Sequence, residues 1–253
     1  MRAAIVLLLA AGLVLAGSSP AAAQRALTVF AAADLAVAFR EIVPRFEAAQ
    51  GVKVTLVLGS TGNLAMQIDH GAPADVFFAA DAAFVDRLVG GGALIPETRA
   101  LYAQGRLVLA TAKAFGSKLT DLRDLLDPRV RHVAIANPLH APYGRAAEQA
   151  LRRLDLWDAV RPKLIYGENV QQALQFVRGG GAAAGIIALS IATVPQIEWT
   201  MVDPTLHAPL NQAAAVVGRS PRPELALALI QFVVGAEGRP IMKRYGFVLP
   251  GEL

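Results

Sequence analysis

The chain of 253 residues contains no cysteine. That excludes disulfide staples, thiolate metal sites, a cysteine nucleophile and the lipid-bearing cysteine of an anchored bacterial lipoprotein. Charge is sparse too: 17% of residues are charged, the net charge is +4, and no basic cluster interleaves with aromatics. Anionic partners are permitted and nucleic acid is not expected. The four histidines, His70, His132, His140 and His207, lie far apart and outside any metal-ligand spacing. They read as surface or core residues. There is no Gly-x-Ser-x-Gly elbow and no Gly-x-x-x-x-Gly-Lys phosphate loop, so no enzyme class is favoured and no cofactor is expected. The run Gly179 to Gly185 imitates a dinucleotide fingerprint, but it follows a helical pattern and precedes a strand, which makes it a turn.

Long apolar runs are also missing. The longest, Ala3 to Ala16, follows Met1-Arg2 and precedes Ala21-Ala22-Ala23. It is shorter than the roughly 20 residues a membrane span needs, and the small-x-small pattern marks a cleavage site. Residues 1–23 are therefore read as a signal peptide, with the mature chain starting near Gln24 and working outside the cytoplasm. An uncleaved anchor is the competing reading.

What the chain does have is an anion cradle, or the look of one. An apolar strand over residues 52–58 stops at Gly59-Ser60-Thr61-Gly62-Asn63, and Leu64 and Ile68 follow at helical spacing. Ser60 to Asn63 should thus sit at a helix N-terminus, where free N–H groups and the macrodipole favour negative charge and the hydroxyls add donors. An ordinary hydroxyl cap would look the same. Residues 26–35 repeat the layout: a short strand, small residues, then Asp34 as a possible N-cap for a helix burying Leu35, Phe39, Ile42, Val43 and Phe46. Pro44 should kink or break that helix near Val43.

Strand and helix patterns alternate onward. Strands are predicted at 75–80, 106–111, 132–136, 163–166 and 185–189, with helices at 81–89, 119–126, 144–154 and 168–178. A tail adds a strand at 213–217 and helices at 223–234 and 236–245. This is an α/β chain with mostly parallel sheets, no fixed repeat and no low-complexity linker. The segment Asn137 to Arg145, with two prolines, Tyr143 and Gly144, reads alone as a rigid loop between strand and helix.

Together these pieces resemble one family, the periplasmic molybdate-binding proteins that feed ABC importers. The matching motifs are Thr28-Val29-Phe30-Ala31-Ala32-Ala33, Gly59-Ser60-Thr61-Gly62-Asn63-Leu64, Gly71-Ala72-Pro73-Ala74-Asp75-Val76-Phe77, Ala79-Ala80-Asp81, Asn137-Pro138 with Ala141-Pro142-Tyr143-Gly144, Glu168-Asn169-Val170, and Lys243-Arg244-Tyr245-Gly246-Phe247. They occur in family order over nearly the whole mature chain. The resemblance implies a two-lobed periplasmic binding protein of type II with its ligand in the interlobe cleft. Lobe 1 would comprise 24–104 and 210–253, and lobe 2 would comprise 105–209. It implies a ligand set of Asp34, Ser60, Thr61, and the backbone at Tyr143 and Val170. It also implies molybdate or tungstate as ligand with no direct protein–metal bond, an ABC permease as partner, and a monomer in the periplasm.

Two departures stand out. Many relatives have serine where this chain has Asp34, and the tyrosine hydroxyl that the family often supplies falls here on Ala188. Tyr143 could replace that donor if its hydroxyl turns into the cleft. A carboxylate about 4 Å from an anionic charge costs on the order of 4 kcal/mol at an effective dielectric of 20. Either Asp34 turns away as a cap, or the ligand brings a proton for it to accept, which would favour phosphate or arsenate. A hydrolase using Asp34, Thr61 and a histidine is the reading from another class.

Overall fold

The computed structural model describes residues 26–252, so the signal-peptide reading at 1–23 lies outside the described residues. In chain order the strands are β1 (Ala26–Ala32), β2 (Lys53–Gly59), β3 (Val76–Ala79), β4 (Ala100–Gly105), β5 (Leu107–Ala112), β6 (Val133–Ala136), β7 (Leu164–Gly167), β8 (Ala184–Ala188), β9 (Ile197–Met201) and β10 (Leu210–Val216). The helices are α1 (Ala36–Gln50), α2 (Thr61–Asp69), α3 (Ala82–Gly90), α4 (Pro142–Arg153), α5 (Trp157–Val160), α6 (Val170–Arg178), α7 (Pro223–Val234) and α8 (Gly238–Arg244). Among the described residues no single helix is long and apolar enough to cross a membrane.

The strands form two five-stranded sheets, ordered β2-β1-β3-β10-β4 and β7-β6-β8-β5-β9. Only Arg106 separates β4 of the first sheet from β5 of the second. Both sheets are mixed, with four of the five strands in each running the same way. Each has three parallel neighbours and one reversed strand, β10 or β5, that pairs antiparallel on both sides. The reversed strand is in each case the first one laid down after the chain crosses from the other sheet.

Register then sets the site. Ala32 of β1 lies beside Gly59 of β2, so the two cradles leave the first sheet level with each other. In the second sheet Ala136 lies beside Gly167, which brings the segments before α4 and α6 out level in the same way. These are carboxyl ends of parallel strands, where ligands of open α/β sheets collect.

Helix α1 departs from expectation at Pro44. It runs unbroken through that residue, with Ala36, Ala38, Phe39, Ile42 and Phe46 buried. An interior proline costs about 3 kcal/mol, whereas each large apolar side chain buried on the core face contributes roughly 1.5–3 kcal/mol. Phe39 also packs edge-on against Phe78, with centroids 5.1 Å apart, and Phe78 against Tyr102. Pro44 and Arg40, whose carbonyl loses its partner, both lie on the exposed side, where water can serve that carbonyl.

Candidate anion site between the sheets

A pocket of about 210 Å³, partly open to solvent, lies between the two sets of strand ends, and Asp34, Ser60, Thr61, Tyr143 and Val170 all line it. The rest of the lining is small or neutral, including Ala33, Gly59, Ala80, Pro142 and Asn169, and no lining residue is basic. Three helices begin at its wall: α2 at Thr61, α4 at Pro142 and α6 at Val170. The first N–H groups of a helix have no intrahelical acceptor; Pro142 has none to give, and those of Gly62, Gln171 and Gln172 are bonded elsewhere, which leaves the N–H groups of Thr61, Tyr143 and Val170 beside one small space.

Each hydroxyl has a definite employment. Ser60 is the N-cap of α2 by backbone geometry, but its side chain makes no capping bond. Its Oγ lies 2.9 Å from Nδ1 of His140 instead. Thr61 Oγ1 accepts the buried N–H of Ala80 at 3.0 Å, which leaves the hydroxyl proton of Thr61 to donate elsewhere. Asn169 caps α6 by accepting from the N–H groups of Gln171 and Gln172. That leaves the Val170 N–H at the first helical position.

Asp34 is not a cap. Neither the short 3-10 turn Ala33–Leu35 nor α1 has a side-chain capping bond at its start. The carboxylate, only 1% exposed, faces the junction between the sheets. There its Oδ2 accepts from Tyr143 Oη at 3.0 Å and from Gln212 Nε2 at 2.7 Å. Gln212 Nε2 also donates to Tyr143 Oη at 3.2 Å, and Oδ1 of Asp34 has no hydrogen-bond partner. Burial pushes the Asp34 carboxyl up from 3.8 to about 6, against the pull of Gln212, Tyr143 and the backbone N–H groups of Asp34 and Leu35. Burial, followed by the Asp34 charge, pushes the Tyr143 and Tyr102 phenols well above their ordinary values.

The same trio settles the question of Tyr143. A phenol has one proton, and this one is given to Asp34, so Tyr143 does not replace the donor missing at Ala188. Ala188 itself is buried at the end of β8. A side chain at Gly105 would overlap the Tyr143 hydroxyl, so glycine there keeps the trio's place open.

Four contacts bridge the rim. The Gly62 N–H donates to the His140 carbonyl at 2.8 Å, beside the Ser60–His140 pair. Asn63 Nδ2 donates to Glu168 Oε1 at 3.0 Å, and Arg145 pairs with Asp81 at 2.7 Å while lying over the Phe84 ring. A Cβ at position 62 would stand 2.7 Å from the His140 carbonyl oxygen, so this approach needs glycine. On the floor, Ser190 Oγ donates to the Asp34 carbonyl at 2.8 Å.

His140, read from sequence as an ordinary histidine, is therefore one of the side chains that span the rim. Gln212 and Ser190 also went unnoticed in the sequence. The loop Asn137 to Arg145 had been singled out, but its partner lies 80 residues away across the cleft, and no local pattern carries that pairing. Among the described residues no group of three or more His, Asp or Glu side chains could hold a metal ion. The site's chemistry is that of neutral donors which can replace the hydration shell of an oxyanion.

Residues 27–248 match the family model of the bacterial extracellular solute-binding proteins. The chain is 34% identical to the molybdate-binding protein ModA of Azotobacter vinelandii over 251 residues, covering 97% of each chain. Against the ModA of Escherichia coli (strain K12) it is 33% identical over 232 residues, 88% of this chain and 89% of that one. The solved Azotobacter vinelandii periplasmic molybdate-binding protein aligns with a TM-score of 0.81 at 30% identity, over 88% of this chain and 99% of that one. These relatives bind solutes and are not enzymes, so the hydrolase reading of Asp34, Thr61 and a histidine is set aside. With the match spanning nearly all of the described chain, the protein belongs to the bacterial extracellular solute-binding proteins.

Proposed function

We propose that this protein captures molybdate, and tungstate with it, in the pocket between its two sheets and hands it to an ABC permease. The observation that carries the reading is the meeting of three helix N-termini, at Thr61, Pro142 and Val170, in one small pocket without a basic side chain. A tetrahedral dianion accepts hydrogen bonds in every direction and gives none, so neutral N–H and O–H donors suit it. Asp34, Ser60, Thr61 and the backbone at Tyr143 and Val170 are the assigned ligand set. Residues 24–104 with 210–253 would move as one lobe against 105–209, and the rim contacts would form on closure. The chain would be exported, cleaved near Ala23, and act as a periplasmic monomer.

One observation favours a second ligand class. The unpartnered Oδ1 of Asp34 could accept a proton from an oxyanion that carries one, such as hydrogen phosphate. A thermal-shift panel separates the two readings, because a ligand at 100 times its dissociation constant adds about 2.7 kcal/mol to stability. Molybdate and tungstate should raise the melting temperature while sulfate and phosphate leave it in place. No shift with the first pair, or a larger one with phosphate, overturns the molybdate reading.

A further inference from the structure

Asp34 poses a problem that the anion reading leaves open. Its Oδ2 is saturated by Tyr143 and Gln212, so that oxygen has no room for a proton. Its Oδ1 belongs to a residue that lines the pocket, is buried, and has no partner. An ionised carboxyl in the wall of an anion pocket would repel the ligand, and an orphaned buried acceptor is itself costly. A single proton placed between that oxygen and the ligand cures both faults.

We infer that anion binding in this pocket is coupled to one proton held between Asp34 Oδ1 and a ligand oxygen, so that Asp34 acts as a donor and sets which oxyanions fit. The inference rests on the molybdate reading and refines it. With a dianion that brings no proton, the proton is taken from solvent onto Oδ1, and the new O–H donates to the ligand. With hydrogen phosphate the proton arrives on the ligand, and Oδ1 accepts it. The two complexes differ by one charge, since a neutral carboxyl faces the molybdate dianion and an ionised one faces the hydrogen phosphate dianion, and the solvent proton is consumed only in the first.

The surroundings leave Asp34 as the group that takes this proton. The groups bonded to it are Tyr143 from α4, Gln212 from β10 and Ser190 from the turn after β8, and the Tyr102 phenol of β4, bonded to the Ala79 carbonyl, feels its charge. The two phenols are pushed upward and stay neutral, and the other two do not titrate. The charged groups of the rim are turned to one another: Arg145 to Asp81, and Glu168 to Asn63 and Asn169. His140 meets Ser60 rather than Asp34, and no cation figures among the groups that set the Asp34 titration. Burial already raises the carboxyl to about 6, so at neutral pH a modest stabilisation by ligand suffices to load it.

The test is calorimetric titration of the full mature protein with molybdate, in buffers of different ionisation enthalpy and over pH 6 to 8.5, where molybdate remains a dianion. Wild type should take up one proton per molybdate at pH 8, and its affinity should fall about tenfold per pH unit above the Asp34 titration. Asp34→Ser and Asp34→Asn should bind molybdate with no proton uptake and a flat pH profile. A hydrogen phosphate arm at pH 8 should show no uptake by wild type if that ligand binds at all. Wild-type binding of molybdate with no proton uptake and a flat profile overturns the inference and leaves the function intact. No binding of molybdate by wild type and by Asp34→Ser overturns the function, and the inference falls with it. The proton count on wild type requires no variant to fold.

Discussion

The tips of β1 and β2 look alike in sequence and leave their sheet side by side, yet they treat charge in opposite ways. After β2, Ser60 and Thr61 are neutral hydroxyls, each held by one partner and each able to meet a ligand without electrostatic cost. After β1, Asp34 is a carboxylate at 1% exposure, held by two donors on one oxygen and by none on the other. The first tip presents no charge of its own. The second does whenever its carboxyl is ionised. Level register and small residues place a cradle; the one side chain at its mouth decides its terms.

The largest effect that tests this contrast is on stability. The folded Asp34 carboxyl titrates near 6 against an ordinary 3.8. An acid whose folded value is raised favours folding while protonated, so that contribution is whole below 3.8 and is lost as pH rises through about 6. Asp34→Asn cannot lose it. Relative to wild type, Asp34→Asn should therefore gain roughly 2 kcal/mol in stability between pH 4 and pH 8. Urea unfolding of both proteins at the two pH values measures this, and an unchanged difference would mean the buried carboxylate is solvated.

At the other tip the expected effect is smaller and independent of pH. Thr61→Val keeps shape but removes the acceptor of the buried Ala80 N–H, which should cost roughly 1.5 kcal/mol at both pH 4 and pH 8. A pH-dependent loss would show that the two tips share one electrostatic network. The rim contact of Asn63 with Glu168 is exposed, so Asn63→Ala should weaken molybdate by less than about fivefold, under 1 kcal/mol. Calorimetry would reveal a larger loss, and that would make the rim rather than the cradles the seat of affinity.

The sequence carried the cradles well because their signals are local: an apolar strand, small residues, then helical spacing from Leu64 or Leu35. It carried two of the four edge strands badly. β4 and β9 end their sheets and are half exposed, so neither shows a clean apolar run, and neither was expected. Pro44 did not break α1, since a strong local signal was outweighed by the core face of that helix. The assigned residues do line one pocket, but their roles depended on partners far along the chain. Gln212 stands 178 residues from Asp34, and His140 stands 80 from Ser60. The side-chain direction of Asp34 was unreadable for that reason: a cap is a local bond, and the bonds that hold it are not.

The placement of β10 has a consequence for how the molecule is made. The second sheet is built from one unbroken stretch, β5 to β9, whereas β10, the last strand of the chain, lies inside the first sheet between β3 and β4. As the polypeptide emerges from its N-terminus, the second sheet can finish while the first still lacks the strand that joins its two parts. Residues near 213 must find partners near 78 and 101, a long loop to close. Gln212 rides on that strand, so the brace on Asp34 arrives with it. The brace on the pocket is thus a late arrival, and a chain stopped before residue 210 would own every residue that lines the pocket and still lack the strand that holds Asp34.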